Sequence, residues 1–203
     1  LLCLENTHAG KVLPLEYLSE AKKFARDKGL MLHLDGARIF NAAVKLKIDV
    51  KEVTKYFDTI SCCLSKGLGA PVGSVLCGSK DQIKKARRWR KVLGGGMRQA
   101  GILAAAGIFA LSNNIQRLEE DHDNALALAR GLAKIEGINI DVDMVQTNII
   151  FADIRADMGA LCNFLKEKKI IIGKSNRLRI VTHLDISRED IDYTIKAFKA
   201  FFN

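Results

Sequence analysis

From Leu1 to Ser79, short strand-like runs alternate with helical stretches, and this alternation restricts the fold more than any other feature of the chain. "LMLHLD" at 30–35 and "DTISCCLS" at 58–65 have the length and apolar content of strands, and "GSVLCGS" at 73–79 is a third. Residues 1–5 form a further short apolar run. "PLEYLSEAKKFARDKG" reads as a helix with Pro14 in its first turn and Gly29 as its stop. Helical stretches around 37–47 and 49–56 lie between the first two strands. Strands separated by helices give a parallel or mostly parallel sheet, and near-continuous apolar runs predict burial on both of its faces. The expected class is therefore α/β.

"GGG" at 94–96 interrupts that order before an Ala-rich helical region at 97–112. Its apolar run, "AGILAAAGIFAL" at 100–111, fits a packed internal helix. Beyond Ser112–Asn114 a helix runs to about Lys134, followed by "INIDV", "TNIIFADI", a helix at 156–168, "KIIIG", "RLRIVTHL" and a closing helix. Ser187 and Asp190 form a variant capping box for that last helix. The expected division is a large α/β domain at 1–112 and a smaller α+β domain at 113–203. Residue 1 is a leucine already inside a strand-like run, so the sequence reads as the later part of a longer chain.

Bulk properties exclude several classes. No run approaches the roughly 18–20 apolar residues that span a bilayer, and no charged start with a long apolar core marks secretion. The five cysteines at 3, 62, 63, 77 and 162 lack CxxC spacing and read as reduced, buried small hydrophobes. That places the chain in the cytoplasm or, equally, a mitochondrial matrix. Much of the net charge of +9 comes from "KKARRWRK" at 84–91, a solvated helix face or a subunit contact. No helix-turn-helix, RNA-binding strand signature or zinc pattern accompanies it, so neither nucleic acid nor membrane is expected as a partner.

The chemistry concentrates at two strand ends. In open α/β sheets, functional groups gather at the carboxyl ends of the strands. Asp35 ends one predicted strand in "HLDGAR", with Arg38 three residues on, and Lys66 follows the next in "CCLSKGLGAPVGS". Gly36 and Gly67 come directly after the acid and the amine, permitting close backbone approach to a ligand. An amine flanked by small and apolar residues loses hydration, which disfavours its ammonium form and makes it a nucleophile toward carbonyls. Schiff-base formation with pyridoxal phosphate is the leading use of such an amine, and that cofactor needs a carboxylate to keep its ring nitrogen protonated. Asp35 suits that task, and Arg38 suits a substrate carboxylate. Read singly, each has an equally good structural role. Asp35 caps the helix starting near Ala37, Arg38 pairs with Asp35, and Lys66 is a loop lysine whose stem lies on apolar surface. Their joint placement favours a site. His8, in "ENTH" after the first strand, is also placed to enter it; His33 reads as a core residue and His122 as an exposed helix residue.

"LENTHAGKVLPLEYL", "LHLDGARIFNAAV", "SCCLSKGLGAPVGSVLCGS", "ARRWRKVLGGGMRQAG", "TNIIFADI" and "RLRIVTHLD" together resemble the low-specificity L-threonine aldolases, over essentially the whole chain. The resemblance implies a pyridoxal-phosphate-dependent enzyme of fold type I, with an incomplete large domain, that splits L-threonine or L-allo-threonine into glycine and acetaldehyde. It implies the cofactor lysine at Lys66, the pyridinium partner at Asp35, and substrate-carboxylate arginines at Arg38 and Arg179. It further implies that Lys91 and Arg98 reach the cofactor phosphate or the substrate side, in a homotetramer built as a dimer of dimers. Family chains carry a substantial segment ahead of "LLCLENTH" that supplies the main phosphate cup, a ring-stacking histidine and the first part of the large sheet. Two other readings stand beside this one. They are a related pyridoxal-phosphate enzyme, either a β-eliminating lyase or an aminotransferase, and a truncated, inactive subunit that only assembles with full-length partners.

Overall fold

The structure, a computed structural model, describes residues 1–203. The chain forms two compact units, one of residues 1–8 and 12–118, the other of residues 9–11 and 119–203. In the first lie β1 (Leu2–Glu5), α1 (Leu15–Asp27), β2 (Leu32–Asp35), α2 (Ile39–Leu46), α3 (Val50–Thr54), β3 (Thr59–Cys63), β4 (Ser74–Gly78), α4 (Lys80–Val92) and α5 (Gly101–Asn113). Its sheet has the order β1-β2-β3-β4, with the first three strands parallel and β4 antiparallel to β3. Pro14, at φ −59°, precedes α1 where a missing N–H costs nothing, and Gly29, at φ +63°, turns the chain out of it.

Only one face of this sheet is packed with apolar side chains. Leu2, Leu4, Leu32, Leu34, Ile60 and Cys62 join a core with Leu18, Ala25, Ile39, Ala42, Val53 and Phe57 of α1, α2, α3 and the segment after α3. The intervening positions, Cys3, Glu5, His33, Asp35, Thr59, Ser61 and Cys63, point the other way and are exposed or half-buried. The expectation of burial on both faces is therefore wrong; the strands alternate. His33 is accordingly no core residue, and its Nδ1 lies 2.8 Å from the Thr59 hydroxyl. None of the cysteines is fully buried either: all five are free, with Cys3 and Cys77 exposed. Burial, and next the neighbouring Cys77, push the Cys62 thiol up, which keeps it in the unreactive protonated form.

The Ala-rich helix α5 also departs from expectation. Ile102 (81%), Ile108 (66%) and Phe109 (64%) are exposed, and only Gly107 and Ala110 are buried. A Cβ at Gly107 would stand 2.9 Å from Leu64 Cδ1, so the small residues mark the face that packs and the large ones stay open.

At the amino ends of the strands, Lys22 of α1 donates to Asp58 Oδ1 (2.8 Å) and the Leu32 N–H donates to Asp58 Oδ2 (2.7 Å). The Lys22 hydrogen bond, then that from Leu32, hold the Asp58 carboxyl below the usual carboxylate range. A depressed carboxyl stabilises the fold above its unfolded pKa of about 3.9, and the contribution disappears as pH falls through the folded value. Both side chains are about one-third exposed, so less than ~1 kcal/mol is at stake. Asp58→Asn should therefore flatten the stability–pH curve below about pH 4, measured by denaturant unfolding, and leave its shape at neutral pH unchanged.

The second unit holds α6 (Leu118–Leu132) apart from its first residue, β5 (Ile138–Asn139), β6 (Ile149–Ile154), α7 (Met158–Glu167), β7 (Arg177–Val181) and α8 (Arg188–Phe202). Its antiparallel sheet has the order β5-β6-β7. Leu132, Ile150, Leu161, Leu165 and Phe198 centre the core beneath it. "KIIIG" at 169–173 forms no strand: Lys169, at φ +60°, turns out of α7, and Ile171 is 88% exposed. His122, expected at the surface, is buried. The capping box is present: the Ser187 N–H and hydroxyl each donate to Asp190 Oδ2 at 2.9 Å, and the Asp190 N–H donates back to the Ser187 hydroxyl.

Candidate active site

Three parallel strands bring their carboxyl ends to one end of the sheet. Glu5 of β1 pairs with Asp35 of β2, and Asp35 pairs with Ser61 of β3. Two backbone bonds extend the stitching past the strands: Asn6 N–H to Asp35 O at 3.0 Å and Gly36 N–H to Ser61 O at 2.7 Å. Three short polar segments therefore leave the same end: Asn6-Thr7-His8, Gly36-Ala37-Arg38 and Ser65-Lys66. Asp35 thus ends β2, and Lys66 comes shortly after the adjacent parallel β3.

The Lys66 segment is a closed loop. Leu64 N–H donates to Gly73 O, Ala70 N–H to Leu64 O and Gly69 N–H to Lys66 O, at 3.0, 2.9 and 2.8 Å. Gly69 and Gly73 supply the positive φ values, +74° and +115°, that let so short a loop turn back into β4. Lys66 is exposed in the single chain, so the desolvated amine expected from its neighbours is not what the chain alone provides.

Gly36 has a structural purpose of its own. A Cβ there would lie 2.9 Å from the Ser61 carbonyl oxygen and 3.1 Å from Ile39 Cβ. Within the chain, the close approach it permits is that of the end of β2 to β3 and α2. Gly36→Ala is expected to destabilise the protein by about 1–3 kcal/mol through overpacking against backbone. An unchanged denaturation midpoint would contradict this account of the strand junction.

Asp35 is exposed, and its Oδ1 accepts the Ala37 N–H at 3.0 Å. α2 starts at Ile39 with Arg38 as its N-cap and no side-chain cap, so Asp35 does not cap that helix; its Oδ1 holds the turn ahead of it instead. Arg38, half-buried, is the residue that opens α2. His8 is exposed and held by Glu5, with 2.8 Å between Nδ1 and Oε2.

Sequence reasoning took only His8 from "ENTH", yet the structure makes Asn6 and Thr7 the more informative pair. Asn6 is 0% exposed and Thr7 4%. The Asn6 Oδ1 accepts the Leu13 N–H at 3.3 Å, which turns Nδ2 away, and neither Nδ2 nor the Thr7 hydroxyl has a partner. A buried donor without an acceptor costs about 1–3 kcal/mol. Both atoms are closed off from the surface, so the groups open to a ligand at these strand ends are the Asp35 carboxylate and the Lys66 amine, the acid and amine that pyridoxal phosphate needs.

The remaining expected site residues lie elsewhere in the chain. Lys91 is exposed in the last turn of α4, and Arg98 is exposed in the turn before α5. Neither makes an ion pair within the chain. Arg179 is an exposed residue of β7, opposite Phe151, in the second unit.

The sequence pattern of the beta-eliminating lyases matches residues 1–156, which include all three strand ends described above. The chain belongs to the beta-eliminating lyase family. Among its relatives, the low-specificity L-threonine aldolase of Escherichia coli K12 is 52% identical over 202 residues, covering 99% of this chain and 60% of that protein. Low-specificity L-threonine aldolase 1 of Arabidopsis thaliana is 46% identical over 208 residues, covering 98% of this chain and 58% of the relative. The chain thus spans about three fifths of the length of the curated relatives it matches. The crystal structure of Leishmania major threonine aldolase superposes with a TM-score of 0.82 at 20% identity, over 99% of this chain and 60% of that one. The family member described here therefore has the expected fold of the pyridoxal-phosphate enzymes of fold type I. No helix in it is long and apolar enough to cross a membrane.

Proposed function

We propose that the chain carries the cofactor-lysine end of a pyridoxal-phosphate-dependent aldolase that cleaves L-threonine and L-allo-threonine to glycine and acetaldehyde. The observation that carries this reading is the pairing of β2 with β3: Asp35 ends the first, and Lys66 comes shortly after the adjacent end of the second. Similarity to the E. coli and Arabidopsis aldolases supports the choice of substrate.

Bound pyridoxal phosphate supplies an electron sink for the pair released when the Cα–Cβ bond breaks. Lys66 Nζ would hold the cofactor through its aldehyde carbon. The free oxygen of Asp35 holds a proton on the ring nitrogen, with the Ala37 N–H fixing its angle. Arg38 and Arg179 bind the substrate carboxylate, where planar guanidinium donors match two oxygens. His8, oriented by Glu5, faces the substrate side chain. Lys91 and Arg98 bind phosphate or substrate from a neighbouring copy.

Assembly as a homotetramer, a dimer of dimers, belongs to the same proposal, and the open apolar surface of α5 supports it. We place the protein in a reducing compartment, the cytoplasm or a mitochondrial matrix, which suits five free thiols. A β-eliminating reaction is the second reading, favoured by the family description. Product analysis separates the two. Incubation with L-threonine and cofactor should yield glycine and acetaldehyde in equal amounts; ammonia and a keto acid in their place would overturn the aldolase reading.

A further inference from the structure

The open face of the second sheet carries a cavity of about 220 Å³. Ile150, Ala152, Ile154 and Leu178 turn inward to the core, so Ile149, Phe151, Asp153 and Arg177 stand on the opposite face. The cavity has an apolar floor that includes Ile149 and Phe151, and its walls carry two cations, Lys11 and Arg177, and two carboxylates, Asp141 and Asp153. Asp153 and Arg177 are direct partners across β6 and β7, where opposite charges ordinarily pair. They do not: the four charged side chains form no ion pair with one another or with any other residue. Arg177 lies over the Phe151 ring instead, with its guanidinium carbon 5.7 Å from the ring centre. Aromatic stacking holds the guanidinium without neutralising it.

Two charges of each sign above an apolar floor match a zwitterion with an apolar substituent. A ligand bearing one charge leaves the opposite pair unanswered, and a nucleotide exceeds the space, which falls below the roughly 300–1,000 Å³ of drug-sized sites. We propose that this cavity binds a free α-amino acid with an apolar side chain. Its carboxylate meets Lys11 and Arg177, its ammonium meets Asp141 and Asp153, and its side chain rests on Ile149 and Phe151. The binding needs no cofactor, although Phe151 is the cross-strand partner of Arg179, the arginine proposed for the substrate carboxylate; unchanged leucine binding in both Asp153→Asn and Arg177→Gln would therefore overturn the proposal.

Isothermal titration of the cofactor-free protein tests it with three probes: L-leucine, 3-methylbutylamine (leucine without its carboxylate) and 4-methylpentanoate (leucine without its amine). Leucine should bind saturably, and each analogue should bind at least about tenfold more weakly, since each forfeits charge-assisted hydrogen bonds. Asp153→Asn and Arg177→Gln, both at exposed positions, should weaken leucine by a similar factor, and Lys66→Ala should leave it unchanged. Absence of saturable leucine binding overturns the proposal. So do analogues that bind as tightly as leucine, and so does loss of binding on Lys66→Ala.

Discussion

The Lys66→Ala protein is expected to lose acetaldehyde formation from L-threonine by roughly 10²–10⁴-fold or more, the range set by one positioned proton-transferring group, with the covalent anchor lost besides. The same change should cost little stability. Lys66 is exposed in a loop closed by backbone bonds from Leu64, Gly69 and Ala70, and surface substitutions away from special features stay within about 0.5 kcal/mol. The rival reading, an ordinary loop lysine, predicts an active protein. Rate and unfolding midpoint measured on one preparation separate the two. Retained cleavage with an intact fold would remove Lys66 from the chemistry.

Asp35→Asn gives the sharper contrast between structure and catalysis. An asparagine has the shape of aspartate, and its amide oxygen still accepts the Ala37 N–H, so the turn leading into α2 survives. If Asp35 only shaped that turn, the variant would work nearly as well as the native protein. An amide cannot hold the ring nitrogen protonated, so the account here predicts a fall in kcat of about 10²–10⁴-fold with cofactor still bound through Lys66. Far-ultraviolet circular dichroism checks the fold, and cofactor absorbance checks loading. A variant that is folded, loaded and fully active would contradict the role given to Asp35.

Much of the site can be read from the sequence because its residues sit against local composition. Lys66 is a lone cation among small and apolar residues, and Asp35 ends an apolar run, so strand ends and their groups stand out together. What surrounds them is less legible. Strands of four or five residues offer only two or three positions per face, and Leu2, Leu4, Leu32 and Leu34 alternate with Cys3, His33 and Asp35 too briefly to be separated from a continuous apolar run. Apolarity marks α5 as needing cover, but it does not say which surface provides it; Gly107 and Ala110 pack while Ile108 and Phe109 do not. "KIIIG" has strong strand propensity and yet forms no strand, which shows how far that propensity depends on context. Asn6 and Thr7 escaped notice for a different reason. Their importance lies in buried donors without acceptors, a property of packing that residue type alone does not reveal.

The most direct test is to load the protein with pyridoxal phosphate, reduce it with borohydride, digest it and locate the attached pyridoxyl group by mass spectrometry. The account predicts one modified site, on the peptide containing Lys66. A reduced adduct on another lysine, or none on a folded and cofactor-saturated protein, would contradict it.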